Sequence, residues 1–355
     1  MEIHLLGADY KPVAGPADRF ISFVWSRRFH ECGSFTIHTT PGEAERYSGA
    51  SFVFNPAAGE YGRIESISYG ADGAAVVRGR LLESLLSDRI VTEGLPMSGN
   101  LETVVRTVAV NNSISSRQIA FLHYGPLLGL TETVSAEKET INLSDWIYGI
   151  LKPFGLSYRL RYDPSTDRVI FRIVRGGDRG PGSESPVYFS SDGGGLISLE
   201  TDYSEAEMKN FAYVEGKDGY VTTAVREGVD RDMPHTHREM YLVAHDVDPD
   251  DFGSYADYVS ELRNRGNKAL RDYRETLCVR CEVTPDLPGY RTAFDLGDLV
   301  AVDAGHGYGL RAVRVTEADE IWENGTFRVE ITLGERLMNV KRFIKRELTA
   351  NRAVK

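Results

Sequence analysis

Apolar and polar positions alternate in short runs over residues 20–90, and turn residues such as Asn55-Pro56 and Asp72-Gly73 part the runs. A period of two, cut by residues that accept tight-turn angles, predicts short strands joined by hairpins. Over residues 78–90 the pattern leaves a strand and enters a short helix with Leu81, Leu82, Leu85 and Leu86 on one face. Residues 1–95 are expected to form a small β-barrel with one packed helix.

Past Asn100 the period changes. Leu101, Val104, Val105 and Val108 recur at helical spacing, and the Asn100 side chain can accept from the unpaired amides of the first turn. A second helix has Asn142 as cap, a stripe of Leu143, Trp146, Ile147, Ile150 and Leu151, and Pro153 as its stop. Alternation returns in Leu156, Tyr158, Leu160 and Tyr162, turns at Asp163-Pro164, and resumes in Val169, Phe171 and Ile173. Helices followed by a hairpin predict a separate α/β domain over residues 96–182, whose last eight residues form a glycine-rich linker.

Strands then continue to Val247 and are interrupted by one long helix at about residues 251–275. There Tyr255, Tyr258, Val259, Leu262, Gly266, Ala269, Leu270 and Tyr273 keep a period of 3.6, and Asp250 and Asp251 suit the positive N-terminal dipole. More strands follow, the clearest in a hairpin turned at Asn324-Gly325.

Composition narrows the function classes. A chain of 355 residues, 41% hydrophobic and 26% charged, is expected to be soluble and to split into two or three domains. No apolar run approaches the roughly 20 residues that span a bilayer, so no membrane-spanning segment is expected. The start, with Glu2 and His4, lacks the basic and apolar pattern of a secretory signal. Cys32, Cys278 and Cys281 are too few for a disulfide framework and should be reduced. With 41 Lys and Arg against 52 Asp and Glu, the net charge of -11 argues against a protein that holds nucleic acid.

Candidate chemistry is sparse. Cys278 and Cys281 have redox or zinc spacing, but their neighbours read as a strand, where residues three apart face opposite ways. His235 and His237, with His245 or Asp232, suggest either a metal site or a polar hairpin tip marked by Pro234, and the hairpin is expected. Asp246, Asp248 and Asp250 imitate a calcium loop, yet Asp251 stands where glycine is needed and Asp257 replaces the bidentate Glu, so helix capping is expected. The runs Gly193-Gly194-Gly195 and Gly305-His306-Gly307-Tyr308-Gly309 read as hairpin loops, because no phosphate-binding Lys-Ser or Lys-Thr pair follows. Leu337, Val340, Ile344 and Leu348 form an apolar stripe among Lys341, Arg342, Lys345 and Arg346, either docking on an acidic neighbour or fraying in solvent. No catalytic residue, cofactor site or metal site is assigned.

Five fragments carry a resemblance: Trp25-Ser26-Arg27-Arg28-Phe29, Gly33-Ser34-Phe35-Thr36-Ile37, Gly79-Arg80-Leu81-Leu82 running to Arg89-Ile90, Lys209-Asn210-Phe211-Ala212, and Asp295-Leu296-Gly297-Asp298-Leu299-Val300-Ala301-Val302. In this order and spacing, over residues 21–335, the chain resembles the hub proteins at the tail tip of siphophages, relatives of the central baseplate hub of contractile-tailed phages. The resemblance implies an α+β chain with two small tube-like β-barrel domains, residues 1–95 and 183–336, around the inserted α/β domain, with residues 337–355 as a basic extension. It implies a structural homotrimer that joins the distal tail protein and tail tube to fibres or receptor-binding proteins. Such a ring would enclose the exit channel for tape-measure protein and DNA, with DNA only as passing cargo and a neutral or acidic wall. The expected place is the virion tail tip, assembled in the host cytoplasm. Three other readings stay open. They are a tail-associated peptidoglycan hydrolase, a carbohydrate-binding tail protein with Tyr61, Tyr69 or Trp322 lining a groove, and a related bacterial injection machine.

Overall fold

The structure, a computed structural model, describes residues 2–71, 73–137, 140–190, 196–283, 289–303, 309–323 and 325–334. The readings of Asp72, Gly193-Gly194-Gly195, residues 305–308, Asn324 and the stripe from Leu337 to Leu348 lie outside the described residues. The chain divides into two units, one made of Met1–Glu200 with Arg280–Leu333 and a second that includes Thr201–Val279.

The first unit opens with β1 (His4–Leu6), β2 (Ser22–Arg28), β3 (Ser34–Thr39), helix α1 (Pro41–Ser48), β4 (Phe52–Asn55), β5 (Glu60–Tyr69) and β6 (Ala75–Leu81). These strands pair antiparallel in the order β1-β4-β5-β6-β3-β2. Alternation places Phe23, Trp25, Phe35, Ile37, Val53 and Val77 on one face, where they are buried with Ala44 and Tyr47 of α1. Close strand packing needs Gly79, since a Cβ there would stand 1.9 Å from the Arg63 carbonyl oxygen and 2.6 Å from the Phe35 ring.

Next come α2 (Ser84–Ser87), β7 (Met97–Asn100), α3 (Leu101–Val110), β8 (Leu122–Tyr124), β9 (Thr133–Ala136), α4 (Leu143–Leu151), β10 (Leu156–Asp163) and β11 (Arg168–Arg175). Both expected caps are present: Asn100 accepts from the Thr103 amide at 3.2 Å and Asn142 from the Asp145 amide at 2.9 Å. Helix α4 ends at Leu151, just ahead of Pro153 as expected, and Lys152–Phe154 adds a tighter turn that Gly155 ends at φ +65°. Strands β10 and β11 pair antiparallel with Leu160 opposite Phe171, and β8 runs parallel to β11. Their inner face, with Tyr158, Leu160, Tyr162, Val169 and Phe171, shares one buried cluster with α3, α4, Phe52 of β4, Tyr61 of β5 and Tyr10 of the turn after β1. Two short strands follow, β12 (Asp178–Arg179) and β13 (Tyr188–Phe189), and the chain leaves the unit along β14 (Leu196–Ser204).

In the second unit β15 (Phe211–Gly216) is central, antiparallel to β16 (Val221–Val225) and parallel to β17 (Glu239–Ala244). The segment holding His235 and His237 is therefore a crossover from β16 to the opposite edge of β15, not the expected hairpin tip, because β15 lies between β16 and β17 and the two do not pair. Helix α5 (Tyr255–Asp272) covers one face, packing Tyr258, Leu262 and Leu270 on Ala212, Val214, Ala224 and Ala244. It begins later than expected, and its cap is Ser254, whose Oγ accepts from the Asp257 amide at 3.2 Å. Asp250 and Asp251 belong instead to a separate one-turn helix, Pro249–Asp251, capped by Asp248.

The chain returns through β18 (Thr276–Val283), β19 (Leu299–Asp303), β20 (Leu310–Glu323) and β21 (Thr326–Gly334). Strand β20 serves two ladders. Leu310–Arg314 lies antiparallel to β19, a bulge follows between Val315 and Glu317, and the remainder pairs with β2 on one side and β21 on the other. Strands β12 and β13 lie parallel to β19. The architecture is α+β, and among the described residues the path of paired strands does not close on itself.

Candidate functional site

Alternation along β10 and β11 turns Arg159, Arg161, Ile170 and Arg172 away from the core residues between them. That outer face forms one wall of a cleft of about 810 Å³, wholly within the first unit. The facing wall comes from the end of β2 at Arg27–Phe29, the turn at Gly59–Tyr61, and the segment holding Asp295, Leu296 and Asp298.

A partly buried ion network holds that second wall. The Arg27 Nε donates to Glu60 Oε1 at 2.9 Å, and its Nη1 donates to Asp295 Oδ1 at 2.6 Å and to the Tyr290 hydroxyl at 3.0 Å. Trp25 Nε1 donates to the other Glu60 oxygen at 2.8 Å, and Tyr290 donates to Glu320 at 2.9 Å. Arg291 pairs with Glu320 and donates to the Ala58 carbonyl at 3.1 Å. Burial alone would raise the Glu60 carboxyl, but the guanidinium groups of Arg27 and Arg291 overcome it and hold the group below its ordinary range. The same contest, won by Arg27, lowers Asp295. Removing one member would leave a buried charge uncompensated, so the network acts as a clamp on the wall.

The first wall is different. Arg159 donates to the Arg28 carbonyl at 2.9 Å and stands 5.8 Å from the Phe29 ring centre, while Arg161 donates to the Gly59 carbonyl at 3.2 Å. Among the described residues Arg159, Arg161 and Arg172 have no carboxylate partner, and Arg172 makes no hydrogen bond. Behind Arg159, buried Glu83 accepts from the Leu160 amide at 3.3 Å, and burial raises its pKa against the pull of Arg159. The exposed guanidinium groups of Arg161 and Arg172 on this wall can grip an anion by paired N–H donors.

The residues singled out in the sequence fall elsewhere. Cys278 and Cys281 are buried in β18, as the strand pattern required. His237 stacks on Phe211 at 4.2 Å with Nε2 2.8 Å from the Asp230 carbonyl oxygen, whereas His245 lies 3.4 Å from Glu215. Among the described residues no group of three His, Cys, Asp or Glu is placed to hold a metal ion. Asp246 pairs with Arg265 at 3.0 Å and Asp248 with Lys217. Tyr61 and Trp322 belong to different hydrophobic clusters, the latter stacking on Phe23 at 4.9 Å and Phe327 at 4.6 Å.

Four of the five quoted fragments line the cleft, through Arg27–Phe29, Gly33, Leu81 and the segment from Asp295 to Asp298. Arg27 binds Asp295, and Gly297, at φ +98°, lies so near Phe29 that a Cβ would stand 2.2 Å from its ring. Their order along the chain thus reflects one joint between β2 and the segment before β19. The arginine wall was missed, although Arg159 and Arg161 two apart in a strand, with Arg172 on its hairpin partner, already predicted a shared face.

The family described as Siphovirus ReqiPepy6 Gp37-like protein matches residues 3–335. A prophage tail protein, gp18, from Listeria monocytogenes has a similar structure, with TM-score 0.58 at 14% identity, covering 99% of this chain and 100% of that one. A tail protein from Neisseria meningitidis is similar at TM-score 0.58 and 12% identity, covering 94% of this chain and 95% of that one. The 43 kDa tail protein of prophage MuSo2 from Shewanella oneidensis is similar at TM-score 0.58 and 13% identity, covering 94% and 97%. Among curated proteins nothing matches the chain.

Proposed function

Since the chain belongs to the Siphovirus ReqiPepy6 Gp37-like family, a siphovirus tail protein family, we propose that it is the structural hub of a siphophage tail tip. In this reading three copies form a ring of tube-like domains that joins the distal tail protein and tail tube to fibres or receptor-binding proteins. The ring encloses the channel through which tape-measure protein and then DNA leave during host cell entry. The observation that carries the reading is the likeness, over nearly the whole length, to tail proteins of similar size. Two small barrels with an insertion at residues 96–182 belong to the same proposal, with partners completing the ladders that remain open in a single chain.

The role is mechanical and not enzymatic. Of the acids that line the cleft, Glu60 and Asp295 are committed to Arg27, while Glu83, Asp163 and Asp298 accept from the backbone amides of Leu160, Ser165 and Gly177, which suits a clamp better than proton transfer. Purified protein incubated with cell wall is expected to release no soluble fragments. Turnover abolished by a single Asp or Glu substitution would put a hydrolase first.

A density map of the intact tail tip tests the hub directly. The expected result is this chain on the tube axis with three-fold symmetry, and a single off-axis copy would sink the reading.

A further inference from the structure

We propose that the arginine-lined cleft of the first unit binds an acidic polypeptide segment, the point at which a neighbouring tail component is held. The identity of the neighbour rests on the hub reading, whereas the binding itself does not. Three observations carry it. Arg159 stands directly opposite Arg172 in the β10–β11 register, a like-charge pair that costs stability in a sheet and that a bound anion relieves. In a chain with a surplus of 11 negative charges, Arg161 and Arg172 are nevertheless left without an ion-paired carboxylate among the described residues. Finally, the cleft holds about 810 Å³, within the roughly 300–1,000 Å³ of a site for a small ligand or a few residues.

The opposite wall selects the class of anion. Glu60, Asp295 and Asp298 also line the cleft, and the network of Arg27 and Arg291 with Glu60, Asp295 and Glu320 carries one more negative charge than positive, so a continuous chain of phosphates would meet a negative surface on that side. A peptide carries its charges at intervals, with neutral backbone between them. Carboxylates spaced along an extended segment can seat in the guanidinium forks of Arg161 and Arg172 while uncharged backbone passes the acidic wall.

The test is fluorescence anisotropy with the full chain and a labelled ten-residue peptide alternating Glu and Ser. Saturable binding is expected, weakening about tenfold or more between about 50 mM and about 500 mM salt. The double variant Arg161→Glu with Arg172→Glu should lose about tenfold or more in affinity. Arg78→Glu, on an exposed position of β6 outside the cleft, should stay within about twofold. No saturable binding by the wild type, equal loss in the Arg78 variant, or tighter binding of a DNA duplex would overturn the proposal. If the double Glu variant fails to fold, Arg161→Lys with Arg172→Lys decides. It keeps the charge and loses the forks, so severalfold weaker binding is expected, and unchanged affinity refutes the site. A three-fold ring in the tail built from a chain that binds no peptide rejects this site alone. An off-axis copy that binds peptide normally rejects the hub alone.

Discussion

Gly79 and Gly42 differ in what a methyl group would meet. At Gly79 it would collide with the Arg63 carbonyl and the Phe35 ring, whereas at Gly42, in α1, nothing lies within 4 Å. Gly79→Ala is expected to destabilise by about 1–3 kcal/mol or more through forced strand displacement, and Gly42→Ala to stabilise by about 0.5–1 kcal/mol. Urea melts of both variants measure the contrast. Glu60 and Glu83, both buried acids, should act in opposite directions with pH. Glu60 is lowered, so its folded form binds fewer protons than the unfolded chain, and its stabilisation is present above about pH 4.5 and lost as pH falls through the folded value. Glu83 is raised, so stability falls as pH climbs from about 4.5 through its folded value. Glu60→Gln is therefore expected to destabilise at neutral pH by about 3 kcal/mol and to flatten the acid limb. Glu83→Gln, which keeps an acceptor for Leu160, is expected to stabilise at neutral pH. Thermal melts between about pH 4 and 8 decide both.

The helices give the sharpest comparison between pattern and structure. Asn100 and Asn142 were legible as caps because each precedes a clean apolar stripe, and the structure puts both side chains on the third amide of their helix. At α5 the acids of Asp250 and Asp251 drew attention away from Ser254, since a dipole argument accepts any nearby charge while a cap needs one particular amide. Ser254→Ala is expected to cost about 1 kcal/mol, and Asp250→Asn with Asp251→Asn under about 0.5 kcal/mol, read by chemical denaturation. The hairpin of β10 and β11 was visible from alternation alone, but the order of β15, β16 and β17 was not. Which edge of β15 receives β17 depends on burying Met240, Leu242 and Ala244 under α5, a long-range choice that local pattern does not record. The cleft was equally hidden, because Arg27 and Asp295 become partners only through folding across most of the chain.

Across the whole molecule, the first unit carries clusters around Trp25 and around Trp146, and the second a smaller one around Leu262. Separate cores predict separate cooperative transitions. Calorimetry is expected to resolve two, with Leu262→Ala lowering one by about 2–5 kcal/mol of local stability and leaving the other in place. A single transition shifted as a whole by that substitution would show that the units unfold as one.

Strand β20, shared between β19 and the pair β2 and β21, also sets a timetable. Trp25 of β2 lies opposite Glu320, so most of the chain must be synthesised after β2 before its partner exists. At about 5–20 residues per second, that wait is roughly 15–60 s on the ribosome. During it, the edge of β2 that β20 will occupy stands open as a template for stray pairing. Early pairing with β3, which follows almost at once, protects only the other edge. Production of this protein should therefore depend on translation speed and on chaperones that shield a nascent strand.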